Sequence, residues 1–97
     1  MALSSRQEVV GPGAWYVYVL RCNDGSLYTG ITTDPQRRMQ EHNHSSKGAR
    51  YTRARRPVEL VYVETVECRA AACKREYRIK QMTAGDKLAL ISAARFS

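Results

Sequence analysis

Several features that would assign a protein to a class are missing from this sequence. No apolar run approaches the roughly 20 residues of a membrane-spanning helix, and residues 1–13 carry one cationic side chain, Arg6, with no hydrophobic signal-peptide core behind it. We therefore expect a protein without membrane attachment that stays in the cytoplasm, or in the nucleus if its source is a eukaryote or a virus. There are no internal repeats, and 97 residues suffice for one modest core.

Cysteine and metal-ligand patterns are also sparse. Cys22, Cys68 and Cys73 are odd in number and lack the Cys-x-x-Cys spacing of zinc sites, which predicts buried free thiols. No pair of histidines or carboxylates has metal-ligand spacing, and neither a glycine-rich phosphate loop nor a Ser-His-Asp set is present. The chain offers at most one carboxylate to a metal. Such a site suits magnesium, because this ion keeps several waters and can share a single carboxylate with a substrate phosphate.

The positive charge is concentrated in one segment. The formal net charge is +7, and residues 37–56 contain seven cations against a single acid, Glu41. A local field of this kind suits a polyanion such as nucleic acid, and the lack of an amphipathic apolar stripe makes an anionic membrane surface the weaker alternative. A solvated basic loop without a specific partner is the plain alternative.

A β-hairpin is predicted near the start of the chain. Residues 15–21 are a β-branched and aromatic run, residues 22–26 contain an Asn-Asp-Gly turn, and residues 27–31 form a short strand. Two turns are compatible with it. A two-residue loop places Tyr18 and Tyr28 on opposite faces, whereas a three-residue loop with Gly25 left-handed puts them on one face. In the second case Tyr18 faces Gly30, whose missing side chain would leave space for a ligand to approach.

The rest of the chain alternates helix and strand. Asp34 and Pro35 begin a helix that runs to about residue 45. Residues 46–57, with the breakers Gly48 and Pro57, are expected to form a loop, and residues 58–66 are apolar on both faces, which predicts a central strand. A second helix is predicted over 69–82. Thr83 caps a third over 84–95, whose apolar stripe comprises Leu88, Ile91 and either Ala94 or Arg95.

Two helix faces carry candidate chemistry. Arg38 and His42 are four residues apart and share a face, although an exposed, charge-laced surface helix accounts for them equally well. Glu76 shares its own face with apolar residues of the second helix, so its carboxylate needs a cation, a donor or a metal. An ion pair with Lys80, one turn on, is the plain alternative for this glutamate.

The ordered set of these residues resembles the GIY-YIG nuclease superfamily. The triplets ending at Tyr18 and beginning at Tyr28 are similar to its paired tyrosine motifs, with Tyr16 where the superfamily has glycine. Arg38 lies ten residues after the second tyrosine, His42 four further on, and Glu76 opens a Glu-Tyr-Arg-Ile-Lys run. The stretches 47–52 and 83–88 are similar to the short, stand-alone members, and the resemblance covers about residues 15–92.

The resemblance implies an α/β (α+β) fold, in which a three-stranded antiparallel sheet is flanked by helices in the order β-β-α-β-α-α, with the three-residue hairpin turn. It also implies metal-dependent hydrolysis of phosphodiester bonds. Glu76 would hold Mg²⁺ or Mn²⁺, and Arg38 would neutralise charge on the scissile phosphate. One of Tyr18 and Tyr28 would activate the attacking water, and His42 would assist proton transfer or fix a tyrosine. A phenol acts as a base only if nearby positive charge favours phenolate.

We therefore predict a leader over residues 1–13 and one domain over 14–97 that is a structure-directed endonuclease. DNA is the favoured substrate and structured RNA the alternative; we expect a monomer or weak dimer, and a protein partner stays open. The residues expected to contact nucleic acid are Gly30, Lys47, Arg50, Tyr51, Arg53, Arg55, Arg56 and Lys80. The alternative from another class is a nucleic-acid-binding module that keeps the fold with little or no catalysis.

Overall fold

The computed structural model describes residues 14–95. In chain order these form β1 (Trp15–Arg21), β2 (Leu27–Thr32), α1 (Pro35–His44), α2 (Arg50–Arg53), β3 (Glu59–Val66), α3 (Arg69–Gln81) and α4 (Ala84–Arg95). The predicted leader lies outside the described residues, so the division into a leader and one domain stays a prediction. None of the described helices is long and apolar enough to cross a membrane.

The three strands form one antiparallel sheet in the order β2-β1-β3, which confirms the predicted fold class. The prediction that residues 58–66 form the central strand is wrong, because β3 lies at an edge. The centre belongs to β1, where every residue from Tyr16 to Leu20 is at most 7% exposed. The two apolar faces of β3 are explained by cover on both sides: Val61 packs against one hydrophobic cluster and Leu60 against the other.

Helices lie on both faces of the sheet. On one face, Val17 and Val19 pack against residues of α3 and α4, namely Ala72, Ile79 and Ile91. On the opposite face, Tyr18 and Leu20 pack with Met39 of α1. Because successive side chains of a strand point to opposite faces, β1 contributes to both cores at once. Tyr18 is thereby directed toward α1.

The hairpin turn has the three-residue form. Gly25 has φ +85°, the left-handed conformation that glycine adopts without steric cost, and the Cys22 N–H donates to the Ser26 carbonyl at 2.8 Å. The register pairs Tyr18 with Gly30 and Leu20 with Tyr28. Tyr18 and Tyr28 therefore lie on the same face of the sheet.

The helix boundaries agree with the sequence to within a residue or two. The Asp34 carboxylate caps α1 by accepting from the Arg37 N–H at 3.1 Å, with Pro35 as the first helical residue. Thr83 Oγ1 accepts from the Asp86 N–H at 3.1 Å and caps α4. Both caps satisfy amide groups that the first turn of a helix leaves without partners.

Three local predictions are wrong. Residues 46–57 are not all loop, because the four residues Arg50–Arg53 contain no breaker and form the single turn α2. Leu88 is 54% exposed, since α4 turns Ile91 rather than Leu88 toward the sheet. Of the three cysteines only Cys22 is buried; Cys68, the residue before α3, is exposed.

Candidate active site

A buried tyrosine and a buried histidine form the centre of the site. Tyr18, on the central strand, is 2% exposed, and His42, on α1, is fully buried. The Tyr18 Oη lies 2.8 Å from His42 Nε2. The two residues are 24 positions apart in the chain, and they meet because α1 covers the face of the sheet on which Tyr18 stands.

Thr52 holds the other side of the imidazole. This fully buried residue of α2 places its Oγ1 2.8 Å from His42 Nδ1 and 2.9 Å from the Ala49 carbonyl oxygen. Sequence reasoning missed it, although it closes the stretch 47–52 that carries part of the family resemblance. The signal available was a threonine three residues after Ala49, a spacing at which a side chain reaches back to a backbone carbonyl.

The pKa values of both groups are shifted by burial. Burial raises the pKa of Tyr18 to about 12, Tyr28 and Glu76 act in the same direction, and the Arg38 guanidinium opposes them. Burial lowers the pKa of His42 to about 4, and Arg38 adds to this effect. At neutral pH Tyr18 is therefore a phenol and His42 an uncharged imidazole. Tyr28, Arg38 and Glu76 thus all act on the pKa of the Tyr18 hydroxyl.

Gly30 makes room for the Tyr18 ring, whereas the sequence predicted room for a ligand at this glycine. A Cβ at Gly30 would lie 2.5 Å from Tyr18 Oη and 2.7 Å from its Cζ. The space above this glycine is thus filled by the Tyr18 ring rather than left open for a ligand. The lack of a side chain on Gly30 lets the phenol ring lie across β2 at this position.

Two hydrogen-bond acceptors hold the Arg38 side chain in place. One of its terminal nitrogens donates to the Glu41 carboxylate and to the Lys47 carbonyl, both at 2.9 Å. Its side chain is 27% exposed. The pairing with Glu41 matches the charge-laced helix considered from the sequence, but the guanidinium also lies beside Tyr18, where the exposed portion can meet a ligand.

Glu76 comes from α3, on the other layer of the molecule. Its Oε2 pairs with the Lys80 ammonium at 3.1 Å, and 24% of the glutamate side chain is exposed. The plain alternative of an ion pair is therefore present, and solvent still reaches the carboxylate. Within residues 14–95 no three metal-ligating side chains cluster, so a metal at Glu76 would take most of its ligands from water and substrate. The ammonium already placed at this carboxylate shows that the position accommodates a cation.

An aromatic stack borders the cluster. The Tyr28 ring meets His42 edge-on with centroids 5.3 Å apart, and it stacks on Tyr51 with centroids 6.0 Å apart. The Arg55 guanidinium lies over the Tyr51 ring, 3.9 Å from its centroid. Beside this stack a groove of about 290 Å³ follows β2, lined by Leu27, Tyr28, Thr29, Tyr51, Lys80 and Lys87.

The predicted nucleic-acid contacts divide into two groups. Lys47, Arg50 and Arg53 are exposed. Arg55 and Arg56 are engaged within the protein: Arg55 pairs with Asp24 at 3.0 Å, and the Arg56 guanidinium donates to carbonyls at the end of α1, including those of His42 and Ser45. Arg56 therefore closes the C-terminus of α1, where orphan carbonyls favour a cation.

Comparisons with known proteins show the family to which this chain is related. The model of the GIY-YIG catalytic domain matches residues 14–88. The UPF0213 protein DP2720 of Desulfotalea psychrophila is 59% identical over 81 residues, covering 84% of this chain and 74% of that protein. A UPF0213 protein of Syntrophus aciditrophicus is 50% identical over 76 residues, covering 78% and 87%.

Solved structures give the same relationship. The solution NMR structure of the UPF0213 protein BH0048 from Bacillus halodurans has a TM-score of 0.54 and 44% identity, covering 82% of this chain and 84% of that one. The NMR structure of the protein EF2693 from E. faecalis has a TM-score of 0.59 and 42% identity, covering 87% and 88%. The chain therefore belongs to the GIY-YIG catalytic-domain family, and within it to the single-domain UPF0213 proteins.

Proposed function

We propose that this protein is an endonuclease that hydrolyses phosphodiester bonds in nucleic acid, with DNA as the favoured substrate. A nuclease is the activity that a GIY-YIG catalytic domain suggests. The observation that carries the proposal is the environment of the Tyr18 hydroxyl. It is hydrogen-bonded to an uncharged imidazole, and Arg38, Tyr28 and Glu76 all act on its pKa. Together with Tyr18 and His42, these residues come from four elements of the chain: β1, β2, α1 and α3.

Arg38 is the group best placed to stabilise the transition state. A phosphate under attack gathers negative charge on its oxygens, and a preorganised guanidinium stabilises that charge without having to reorganise during the reaction. The contacts with Glu41 and the Lys47 carbonyl hold the Arg38 side chain in place and leave part of it exposed. Removing such a cation should slow cleavage on the order of a hundredfold or more.

Tyr18 and His42 would move the proton of the attacking water. The phenol alone is a poor base, because burial raises its pKa to about 12. A concerted transfer avoids phenolate: as Tyr18 accepts a proton from water, it gives its own proton to His42 Nε2 across the 2.8 Å hydrogen bond. A bound phosphate would offset the charge of Arg38, one of the two main causes of the low His42 pKa, and would make the imidazole a better acceptor.

The same site would use Mg²⁺ or Mn²⁺ held by Glu76. The donor set fits a magnesium site that consists of one carboxylate, substrate phosphate oxygens and waters. When bound, the metal would supply charge stabilisation and acidify a water. Lys80 must leave the Glu76 carboxylate for this, and its long side chain can then turn toward the groove that it lines with Lys87.

The nucleic acid would approach across the surface between α2 and α4. Lys47, Arg50 and Arg53 are exposed on one side of the cluster, and Lys80 and Lys87 border the groove on the other. The partly exposed Tyr51 offers a ring edge beside that groove. Cations that follow a backbone together with an aromatic surface are the usual components of a nucleic-acid channel.

The test is incubation of the purified protein with plasmid, branched DNA and structured RNA, with and without Mg²⁺, beside Glu76→Gln. Glu67→Gln is the matched control, because Glu67 is an exposed glutamate just before α3. We expect metal-dependent cleavage that is lost in Glu76→Gln and kept in Glu67→Gln. Binding without cleavage in the unsubstituted protein would contradict the enzyme and support the alternative, a nucleic-acid-binding module with this fold.

A further inference from the structure

We propose that Thr52 is a positioning residue that selects the tautomer of His42 with the proton on Nδ1, so that the Nε2 lone pair faces the Tyr18 hydroxyl. The proposal deepens the proposed function and rests on it for its catalytic consequence. Its structural part stands on the hydrogen-bond geometry of the buried trio Tyr18, His42 and Thr52.

The assignment follows from counting hydrogens. Thr52 has one hydroxyl hydrogen, and its Oγ1 lies 2.9 Å from the Ala49 carbonyl oxygen. Two oxygens attract each other at that distance only if a hydrogen lies between them, so the hydroxyl donates to Ala49. Thr52 Oγ1 is then an acceptor toward His42 Nδ1 at 2.8 Å. The imidazole proton must therefore be on Nδ1, which leaves Nε2 to accept from Tyr18.

The opposite tautomer fits less well. With the proton on Nε2, Nδ1 could accept from the Ala49 N–H, but this contact is longer, at 3.3 Å. The hydroxyl of Thr52 would also have to donate to Nδ1, and the 2.9 Å pair of oxygens would lose its hydrogen. Only the first arrangement places a hydrogen in each of the three short contacts, which join Tyr18 to His42, His42 to Thr52, and Thr52 to the Ala49 carbonyl. The first arrangement gives up only the longer contact, because the Ala49 N–H then faces a protonated Nδ1 at 3.3 Å.

The tautomer decides the direction of the Tyr18 hydrogen bond. With Nε2 unprotonated, Tyr18 donates to His42, and its oxygen can accept a hydrogen bond from water. With Nε2 protonated, Tyr18 would accept from His42, and the imidazole could not take the phenol proton. Thr52, which touches no reacting atom in this scheme, thus acts only through His42.

The experiment is long-range ¹H–¹⁵N NMR of the imidazole in the unsubstituted protein, Thr52→Val and Thr52→Ser. We expect Nδ1 protonated and Nε2 unprotonated in the unsubstituted protein and in Thr52→Ser, which keeps the hydroxyl. In Thr52→Val the Nε2–H form should become populated, because Nδ1 loses its acceptor while the Ala49 N–H remains as a donor. If Thr52→Val does not fold, Thr52→Ala replaces it in the same measurement.

Cleavage assays supply the second readout. Thr52→Val should lower kcat on the order of tenfold with little change in KM, which is the effect of about one hydrogen bond. Thr52→Ser should restore most of the rate, and Thr65→Val, an exposed threonine on β3, should cleave as the unsubstituted protein does.

Two results would overturn the proposal: an Nε2–H imidazole in the unsubstituted protein, or an unchanged tautomer after the hydroxyl is removed. Absence of cleavage by the unsubstituted protein would instead overturn the proposed function. The NMR outcome would still decide the tautomer in that case, so the two failures are distinguishable.

Discussion

The buried histidine should make this protein sensitive to mild acid. The folded chain keeps His42 uncharged down to a pKa of about 4, whereas an unfolded chain binds a proton with the ordinary value of 6.5. The unfolded state therefore takes up more protons between pH 6.5 and pH 4, and the free energy of unfolding falls as the pH falls through this window. The shift corresponds to a loss of about 2 kcal/mol at pH 5 and about 3 kcal/mol at pH 4, relative to pH 7.

Urea unfolding of the unsubstituted protein and of His42→Gln at several pH values isolates this effect. Glutamine does not titrate, whereas the carboxylates titrate in both proteins. The difference between the acid-induced losses of stability of the two proteins therefore reports the contribution of His42 alone. An NMR titration of the His42 imidazole in the unsubstituted protein gives a direct second measurement. Equal acid losses in both proteins, or a His42 that protonates near pH 6.5, would refute the reasoning.

Further predictions concern the packing of the site and its surface. Gly30→Ala places a Cβ 2.5 Å from Tyr18 Oη and should lower the free energy of unfolding by about 1–3 kcal/mol. In thermal or urea unfolding, Gly85→Ala, in α4 with its nearest neighbour at 4.0 Å, should lose nothing. Lys87→Gln should reduce the salt dependence of nucleic-acid binding by about one unit of slope, measured by fluorescence anisotropy over a salt series. Lys74→Gln, an exposed lysine outside the groove, should leave the slope unchanged, and equal slopes for both variants would contradict this use of the groove.

The elements that carry strong local signals could be predicted from the sequence. The Asp34 and Thr83 caps fix the starts of α1 and α4, because capping depends on residues within one turn. Local chemistry alone allows either a two-residue or a three-residue hairpin turn. Only the three-residue turn places Tyr18 and Tyr28 on the same face. The family resemblance, rather than periodicity, chose between them.

Features that depend on partners distant in the chain could not be predicted. The apolar pattern of β3 is that of a strand covered on both faces, and pattern alone does not distinguish a central strand from a covered edge strand. The sequence pairs Gly30 with Tyr18, but it does not reveal that the Tyr18 ring fills the space over this glycine. Likewise, the contacts of Arg56 with the end of α1 could not be read from the sequence.

The most direct test of the central claim, that the site is organised around the Tyr18 hydroxyl, is the cleavage rate of Tyr18→Phe. This change removes one oxygen and keeps the buried ring, and Tyr77→Phe is the control, since Tyr77 is 66% exposed on α3. We predict a folded Tyr18→Phe protein whose cleavage rate falls on the order of a hundredfold or more, beside an unchanged Tyr77→Phe. Cleavage by Tyr18→Phe within a few-fold of the unsubstituted rate would contradict the account.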